Sequence, residues 1–294
     1  MNTEESQDKV AKLLRNGYCT GSHCYGKGIA EDDHTCPFAE EINDEQREVL
    51  KYLEYNPVTT FPYRFSDNYS RQNVEVFFDD LNGMRYVLME NKRLYFKKRW
   101  SEKRIRKGYS DLMREQDPDS SHRYLTDDFN VGSDDVVADI GAAEGNFSLS
   151  VVDKVKRIYI FEYDKEWSEA LKATFAPWKD KVEIINKRVA SSDDRKHIKF
   201  DTFFADKKDI NFLKIDVDGA EQQVLDSCKS ILETAGTVKI ALCTYHKNND
   251  EKDFTQILMK HKFGVSYSKG YMIHYFDKGM NAPYLRRGLI RAQK

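Results

Sequence analysis

From about residue 131 to the end, short apolar runs alternate with amphipathic ones, and this alternation constrains the fold more than any other feature of the chain. VVADI (136–140), RIYIFEYD (157–164), KVEIINKRVA (181–190), INFLKIDVDG (210–219) and TVKIALCTYH (237–246) read as strands. FSLSVVD (147–153), residues 165–176 closed by Pro177, AEQQVLDSCKSILE (220–233) and FTQILMKHK (254–262) read as helices. In 220–233, Val224, Leu225, Cys228, Ile231 and Leu232 recur on one helical face. Strands separated by helices imply βαβ units, hence an α/β fold with a mostly parallel sheet. FGVSYSKGYMIHYF (263–276) holds two strand-like halves around Lys269-Gly270 and predicts a terminal hairpin with an antiparallel edge.

In such sheets ligands bind beyond the carboxyl ends of the strands. DVVADIGAAEGNFSL (135–149) runs from a strand through Asp139, Gly141 and Gly145 into a helix. Glycines there permit a tight turn and a close approach to the backbone. Glu162 ends the next strand, 21 positions after Gly141. An acid at that offset accepts hydrogen bonds from ribose hydroxyls. Dinucleotide sites prefer G-x-G-x-x-G, where a pyrophosphate rests on backbone amides. Here the loop is G-x-x-x-G and contains Glu144, which repels a pyrophosphate. S-adenosylmethionine carries an ammonium and a sulfonium but no phosphate, so Asp139 and Glu144 suit it. The plainer alternative is a structural strand–turn–helix with solvent-facing acids; the offset of Glu162 favours the nucleotide site.

FLKIDVDGAEQQVL (212–225) is the second informative stretch. Asp216 closes an apolar strand and Asp218 follows it. Glu221 falls in the first turn of a helix, where an acid is favoured by the helix dipole. Asp218 and Glu221 can also be read as caps of that helix.

Together, VVADIGAAEGNFSL and FLKIDVDGAEQQVL resemble the FkbM-type methyltransferase family over roughly residues 130–276. That family pairs a D-x-G-x-x-x-G loop with a K-x-D-V-E-G-x-E-x-x-V-L stretch, and Asp218 stands where glutamate is usual. The resemblance implies a Rossmann-like class I methyltransferase fold: a mostly parallel seven-stranded sheet with a C-terminal antiparallel hairpin, plus an N-terminal α+β extension. It also implies S-adenosylmethionine as cofactor and methylation of a hydroxyl oxygen on a sugar, polyketide or similar small molecule. By that resemblance Asp139, Gly141 and Gly145 hold the methionine part, Glu162 the ribose, and Asp216 lies beside the transferred methyl. Ala142, Glu144, Asn146, Phe147 and Tyr163 complete the candidate cofactor site. Asp201, in KFDTFF, matches a family aspartate.

Methyl transfer is an in-line displacement on an already activated carbon, so alignment is most of what the protein supplies. A hydroxyl acceptor must still lose its proton, to a base or with a metal. His246, after the fifth strand, is the first candidate base and Asp216 the second; a loop histidine with no such role is the alternative. Asp216, Asp218 and His246 have the donors for a magnesium ion, but the sequence does not require one and no metal is expected.

The region before residue 131 divides into an arm (1–45) and an extension (46–130). NKRLYFKKRWSEKRIRKGY (91–109) holds nine Lys or Arg from Lys92 to Lys107, against the single acid Glu102, with Tyr95, Phe96, Trp100 and Tyr109 interleaved. Such a segment can bind nucleic acid or a glycan precursor, or be a solvated helix or hairpin. A nucleic-acid or protein acceptor is therefore the alternative substrate class, and a non-catalytic S-adenosylmethionine-binding protein the alternative outside enzymes. REQDPDSSHRYL (114–125) reads as a loop entering the first strand, with His122, Arg123 and Tyr124 as candidate substrate contacts. Cys19, His23, Cys24, His34 and Cys36 carry donor atoms for zinc or an iron–sulfur cluster, but their spacing matches no common zinc pair and a reduced arm is the plainer reading. With 47 basic and 49 acidic residues, net charge does not direct the molecule to nucleic acid. No apolar run is long enough for a membrane span or signal segment, so a cytoplasmic protein is expected. Oligomeric state stays open.

Overall fold

The computed structural model describes residues 42–206, 209–234, 236–274 and 284–294. The first described helix, α1 (Asp44–Leu53), begins with a reciprocal cap: the Asn43 side chain accepts from the Gln46 amide, and the Gln46 side chain accepts from that of Asn43. Strands β1 (Phe77–Asp79), β2 (Met84–Met89) and β3 (Lys92–Tyr95) form an antiparallel sheet. Glu90 and Asn91 both take positive φ in the two-residue β2–β3 turn, as a type I′ hairpin requires. Helix α2 (Glu102–Glu115) follows, capped by the Ser101 hydroxyl, which accepts from the Arg104 amide.

The second half then runs β4 (Val136–Ile140), α3 (Asn146–Val151), β5 (Arg157–Phe161), α4 (Lys165–Thr174), β6 (Val182–Ile185), β7 (Arg188–Val189), β8 (His197–Ile198), α5 (Phe200–Phe203), β9 (Phe212–Ile215), α6 (Glu221–Ser227), α7 (Lys229–Glu233), β10 (Lys239–Cys243), α8 (Asp250–Lys260), β11 (Gly264–Tyr267), β12 (Met272–Ile273), β13 (Leu285–Arg286) and β14 (Leu289–Gln293). Seven of these strands form one sheet in the order β11-β14-β10-β9-β4-β5-β6. β10, β9, β4, β5 and β6 are mutually parallel, and β14 is antiparallel to both of its neighbours. The chain winds outward from β4 to β6, then returns to the other side of β4 with β9. The crevice between β4 and β9 is therefore the topological switch point, where open α/β sheets bind ligands.

Side chains alternate between two cores. Val137, Ile158 and Ile160 enter one; Val136, Ala138, Ile140, Tyr159 and Phe161 enter the other. Both faces of the sheet are covered, which is why the central strands read as unbroken apolar runs. The extension shares the first core: Val87, Leu94 and Phe96 pack with Leu149 and Leu171. Trp100 and Trp167 meet edge to face at 5.0 Å, a contact worth about 0.5–1.5 kcal/mol beyond area burial.

Several expectations need correction. The hairpin at Lys269-Gly270 does not form. The Gly270 amide donates to Glu45 and the Tyr271 amide to the Tyr63 hydroxyl, so the two halves part. The first, β11, joins the main sheet beside β14; the second, β12, pairs with β13. The antiparallel strand of the sheet is β14, which lies one in from the edge, between β11 and β10. That strand hides in LIRAQ because Arg291, instead of facing water, donates to the carbonyls of Arg123 and Tyr124. The third strand breaks into β6 and β7, and the helix over 220–233 breaks at Cys228, where the backbone leaves helical φ/ψ. Cys228 and Cys243 are buried free thiols. Cys19, His23, Cys24, His34 and Cys36 lie outside the described residues. Among the described residues no helix is long and apolar enough to cross a membrane.

Candidate active site

The glycine loop is fixed from three sides. Gly141 sits at φ +78, and a Cβ there would lie 1.9 Å from the Asp216 carbonyl oxygen. Only glycine lets the ends of β4 and β9 come this close. Ala143 also takes positive φ, and its amide donates to Glu162 Oε2 at 2.9 Å. The other oxygen, Oε1, accepts from the Asp164 amide at 2.7 Å. Burial pushes the Glu162 carboxyl up, against the pull of those two amides, and the net shift is upward. Gly145, in the left-handed region, starts α3 where a Cβ would stand 2.5 Å from Leu171 Cδ2.

Asp139 sits behind the loop. Its carboxylate is fully buried, 3.1 Å from Lys214 Nζ, and accepts from the Ser148 hydroxyl at 2.7 Å. Lys214 in turn donates to the Gly141 carbonyl at 2.7 Å. Burial pulls the ammonium down, but Asp139 and Asp216 outweigh it and the net shift is upward.

Asp216 stands one residue past β9, at the centre of a polar cluster. Tyr124 donates to Oδ2 at 2.8 Å and Tyr245 to Oδ1 at 3.2 Å. His122 Nε2 lies 3.6 Å from Oδ2, and His246 Nε2 3.8 Å from Oδ1. Burial opposes ionisation of Asp216, but Lys214 more than offsets it and keeps the carboxyl well below its usual range. Burial drives His122 down to about 4, so its ring is neutral at pH 7. His246 goes the other way. Burial lowers it, but Asp218, Glu221 and Asp216 raise it to about 10. Its Nδ1 lies 2.8 Å from Glu221 Oε1. An imidazolium has no lone pair to accept a proton, so His246 is not the better-placed base at neutral pH.

A cavity of about 530 Å³ opens over the carboxyl ends of β4, β5 and β9. Gly141, Glu162, Tyr163 and Asp216 line it, together with Asp218 and Tyr245. Among the other sequence candidates, Asp139 is behind the loop, and Ala142, Gly145 and Phe147 are buried in support of it. Phe147 stacks on Phe212 at 5.9 Å and meets Tyr124 edge-on. Asn146 is the first residue of α3. Burial raises Glu144 to about 7. His122 and Tyr124 reach Asp216, but the Arg123 guanidinium turns away to the Leu125 carbonyl. Asp201 is not at the cavity: its carboxylate accepts from the Ser230 amide and hydroxyl, capping α7.

Sequence reasoning missed several neighbours of this site. Tyr245 is the sequence neighbour of His246. Lys214 lies within FLKIDVDGAEQQVL, and a lysine inside an apolar strand signals an acid on the next strand. Burial, then the charges of Asp216 and Glu144, raises Glu115 at the end of α2 to about 8; helical spacing gave no hint of that. Lys97, from the basic segment, reaches Asp164 at 2.6 Å and lies over the Trp167 ring, a long-range contact with no local signature.

An α/β methyltransferase-like architecture with a cleft at its switch point is the class that this fold and site define. The methyltransferase FkbM domain matches residues 115–271, more than half of the chain, and the chain belongs to that family. The match begins ahead of β4 and so takes in His122 and Tyr124. No curated protein matches. Among solved structures, methyltransferase FkbM from Methylobacillus flagellatus aligns at 17 % identity over 58 % of this chain and 47 % of its own, with a TM-score of 0.45. This chain thus spans a little under half of that protein's length. A putative transferase from Pyrococcus horikoshii aligns at 9 % identity over 72 % of this chain and 71 % of its own, TM-score 0.43. Trm5b from Pyrococcus abyssi aligns at 12 % identity over 72 % and 55 %, TM-score 0.41. These likenesses are loose, and the family assignment rests on the sequence match.

Proposed function

We propose that the chain is an S-adenosylmethionine-dependent O-methyltransferase acting on a hydroxyl of a sugar, polyketide or other small molecule. The observation that carries this reading is the cavity at the switch point, with the immobilised Glu162 carboxylate at one end and the Asp216 cluster at the other. Its size is that of a small-molecule site. Its chemistry favours a cationic ligand. The carboxylates of Glu162, Asp164, Asp216 and Asp218 line it, and a positive charge among clustered carboxylates favours their charged form. The space beside Gly141 is filled by the Asp216 carbonyl rather than left open for a pyrophosphate.

S-adenosylmethionine supplies, when bound, an electrophilic methyl group. The chain's own residues do the rest. Glu162, held by two amides, offers its remaining lone pairs to a ribose diol. Tyr163 and Trp167 contribute flat faces to the lining. Asp216, kept ionised by Lys214, is the group at the cavity with a lone pair for the acceptor proton, and His246 is its counter-charge.

The basic segment gives the nucleic-acid alternative little support. Six of its nine cations pair with acids: Lys92 with Asp153, Arg93 with Asp79, Lys97 with Asp164, Arg99 with Glu166, Arg106 with Glu102 and Lys107 with Asp111. Arg104 lies over the Trp100 ring. Charge neutralised within the fold is not available to phosphates.

Calorimetric titration with S-adenosylmethionine and S-adenosylhomocysteine tests the reading. Wild type binds both, Glu162→Ala weakens both at least tenfold, and Asp216→Asn binds them but loses turnover. Folded wild-type protein that ignores both ligands and takes another nucleotide would refute it.

A further inference from the structure

We propose that Asp216, Glu221 and His246 hold a divalent metal ion at the edge of the cavity. One donor atom from each residue can be chosen so that all lie within 4.8 Å of one another. Two ligands about 2.1 Å from one ion, at a tetrahedral angle, stand roughly 3.4 Å apart. His246 Nδ1 lies 2.8 Å from Glu221 Oε1, and a carboxylate oxygen of Asp216 completes the set within the 4.8 Å limit.

A second observation points the same way. Glu221 is 1 % exposed, and its Oε2 is fully buried with no hydrogen-bond partner. Its other oxygen accepts from the amides of Val217 and Gly219, so the carboxylate cannot rotate away to find water. A buried carboxylate oxygen left bare is costly, and a cation is the partner that removes the cost. The His246 side chain is itself only 8 % exposed, and the ion takes the place of a ring proton, so the imidazolium of the metal-free protein binds it as the neutral ring. Asp218 is a ready further donor: its fully exposed carboxylate stands 3.7 Å from His246 Nε2. Glu221 thus takes the place that the sequence gave to Asp218.

Two carboxylates and an imidazole suit manganese, magnesium or zinc rather than a thiolate-seeking ion. Tyr245, Asp216 and Asp218 line the cavity, so the ion borders the place where an acceptor hydroxyl must lose its proton, and a Lewis acid there lowers that cost.

The site stands on its own geometry, and its test uses the full-length protein without S-adenosylmethionine. Manganese is titrated in and the free ion is read by electron paramagnetic resonance. One ion binds per chain, and His246→Gln or Glu221→Gln weakens it tenfold or more, with circular dichroism confirming the fold. If those variants do not fold, wild type still decides: bound manganese broadens the His246 ring protons more than those of His197. Manganese, a hard ion, also avoids the thiols of Cys19, Cys24 and Cys36. Absence of stoichiometric binding overturns the proposal. So does binding that both folded variants retain, or broadening that spares His246. Failure here leaves cofactor binding untouched, since that is measured separately.

Discussion

Asp139 and Asp216 are the same residue at the ends of adjacent parallel strands, yet they do opposite things. Asp139 lies inside its strand, directly across the ladder from Lys214. Asp216 lies one residue past the end of its own. Those two steps along the ladder decide burial: the Asp139 carboxylate is fully buried, and the Asp216 side chain keeps 18 % exposure at the cavity. Within the ladder an acid must find a cation on the neighbouring strand, and it becomes structure. Past the ladder it is free to face a ligand. An acid at a strand end is thus two different signals, and the pairing register separates them.

Gly141 is where the two ends touch, so it gives the sharpest test. Gly141→Ala puts a methyl 1.9 Å from a backbone oxygen in a left-handed conformation. Neither the strand nor the loop yields cheaply, and we expect a loss above about 4 kcal/mol, in the exceptional range for one substitution. Gly145→Ala meets side chains rather than backbone, the far end of Leu171 at 2.5 Å and the Phe175 ring at 3.1 Å, and its cost is mainly the backbone strain of about 1–3 kcal/mol. Urea denaturation of both variants measures the difference. Equal losses would mean that the approach of β4 to β9 is not what Gly141 is for.

Next in size is the removal of Asp139. Asp139→Ala strands Lys214, which is 3 % exposed, and breaking such a buried pair costs about 3–5 kcal/mol. For a chain of this size the melting temperature falls by roughly 10 °C. Asp216→Ala removes a partly exposed carboxylate instead, and its melting temperature drops by less than half as much. A thermal melt in which the two variants fall together would break the distinction between them.

Much of this was legible in the sequence. The parallel core followed from the apolar runs, because strands buried on both faces have no alternation to hide. The edge that carries the cavity is legible in Gly141, Glu162 and Asp216, because tight turns and strand-end acids are local. What stayed hidden was non-local. Arg291 made β14 look polar, since its partners Arg123 and Tyr124 lie about 170 positions away. Asp201 resembled a site residue because its short-range motif fits; only the packing of α5 against α7 shows that it caps a helix. The basic segment looked free because its acids, such as Asp153, Asp164 and Glu166, come from the other half of the chain.

The smallest effect tests the loop itself. Glu144 shares the glycine loop that Asp139 supports, but no neighbouring cation offsets its burial, and its carboxyl rises from 4.5 to about 7. Lys97 and Lys214 pull it down without winning, and Glu162 adds to the rise. Between these two values the folded state holds a proton that the unfolded chain has released, so stability falls as pH rises through the window. At about 1.4 kcal/mol per unit this contribution is at most about 3 kcal/mol. Glu144→Gln removes the ionisation, and chemical denaturation across the window should show a flatter pH dependence than wild type, with the steeper residue left by Glu115. Unchanged slopes would place Glu144 in water rather than in the fold. A bound ammonium or sulfonium beside the loop should also draw the proton off. Calorimetry of S-adenosylmethionine binding in buffers of different ionisation enthalpy then reads proton release in wild type and less of it in Glu144→Gln, which separates an acid that meets the ligand from one that, like Asp139, only holds the loop.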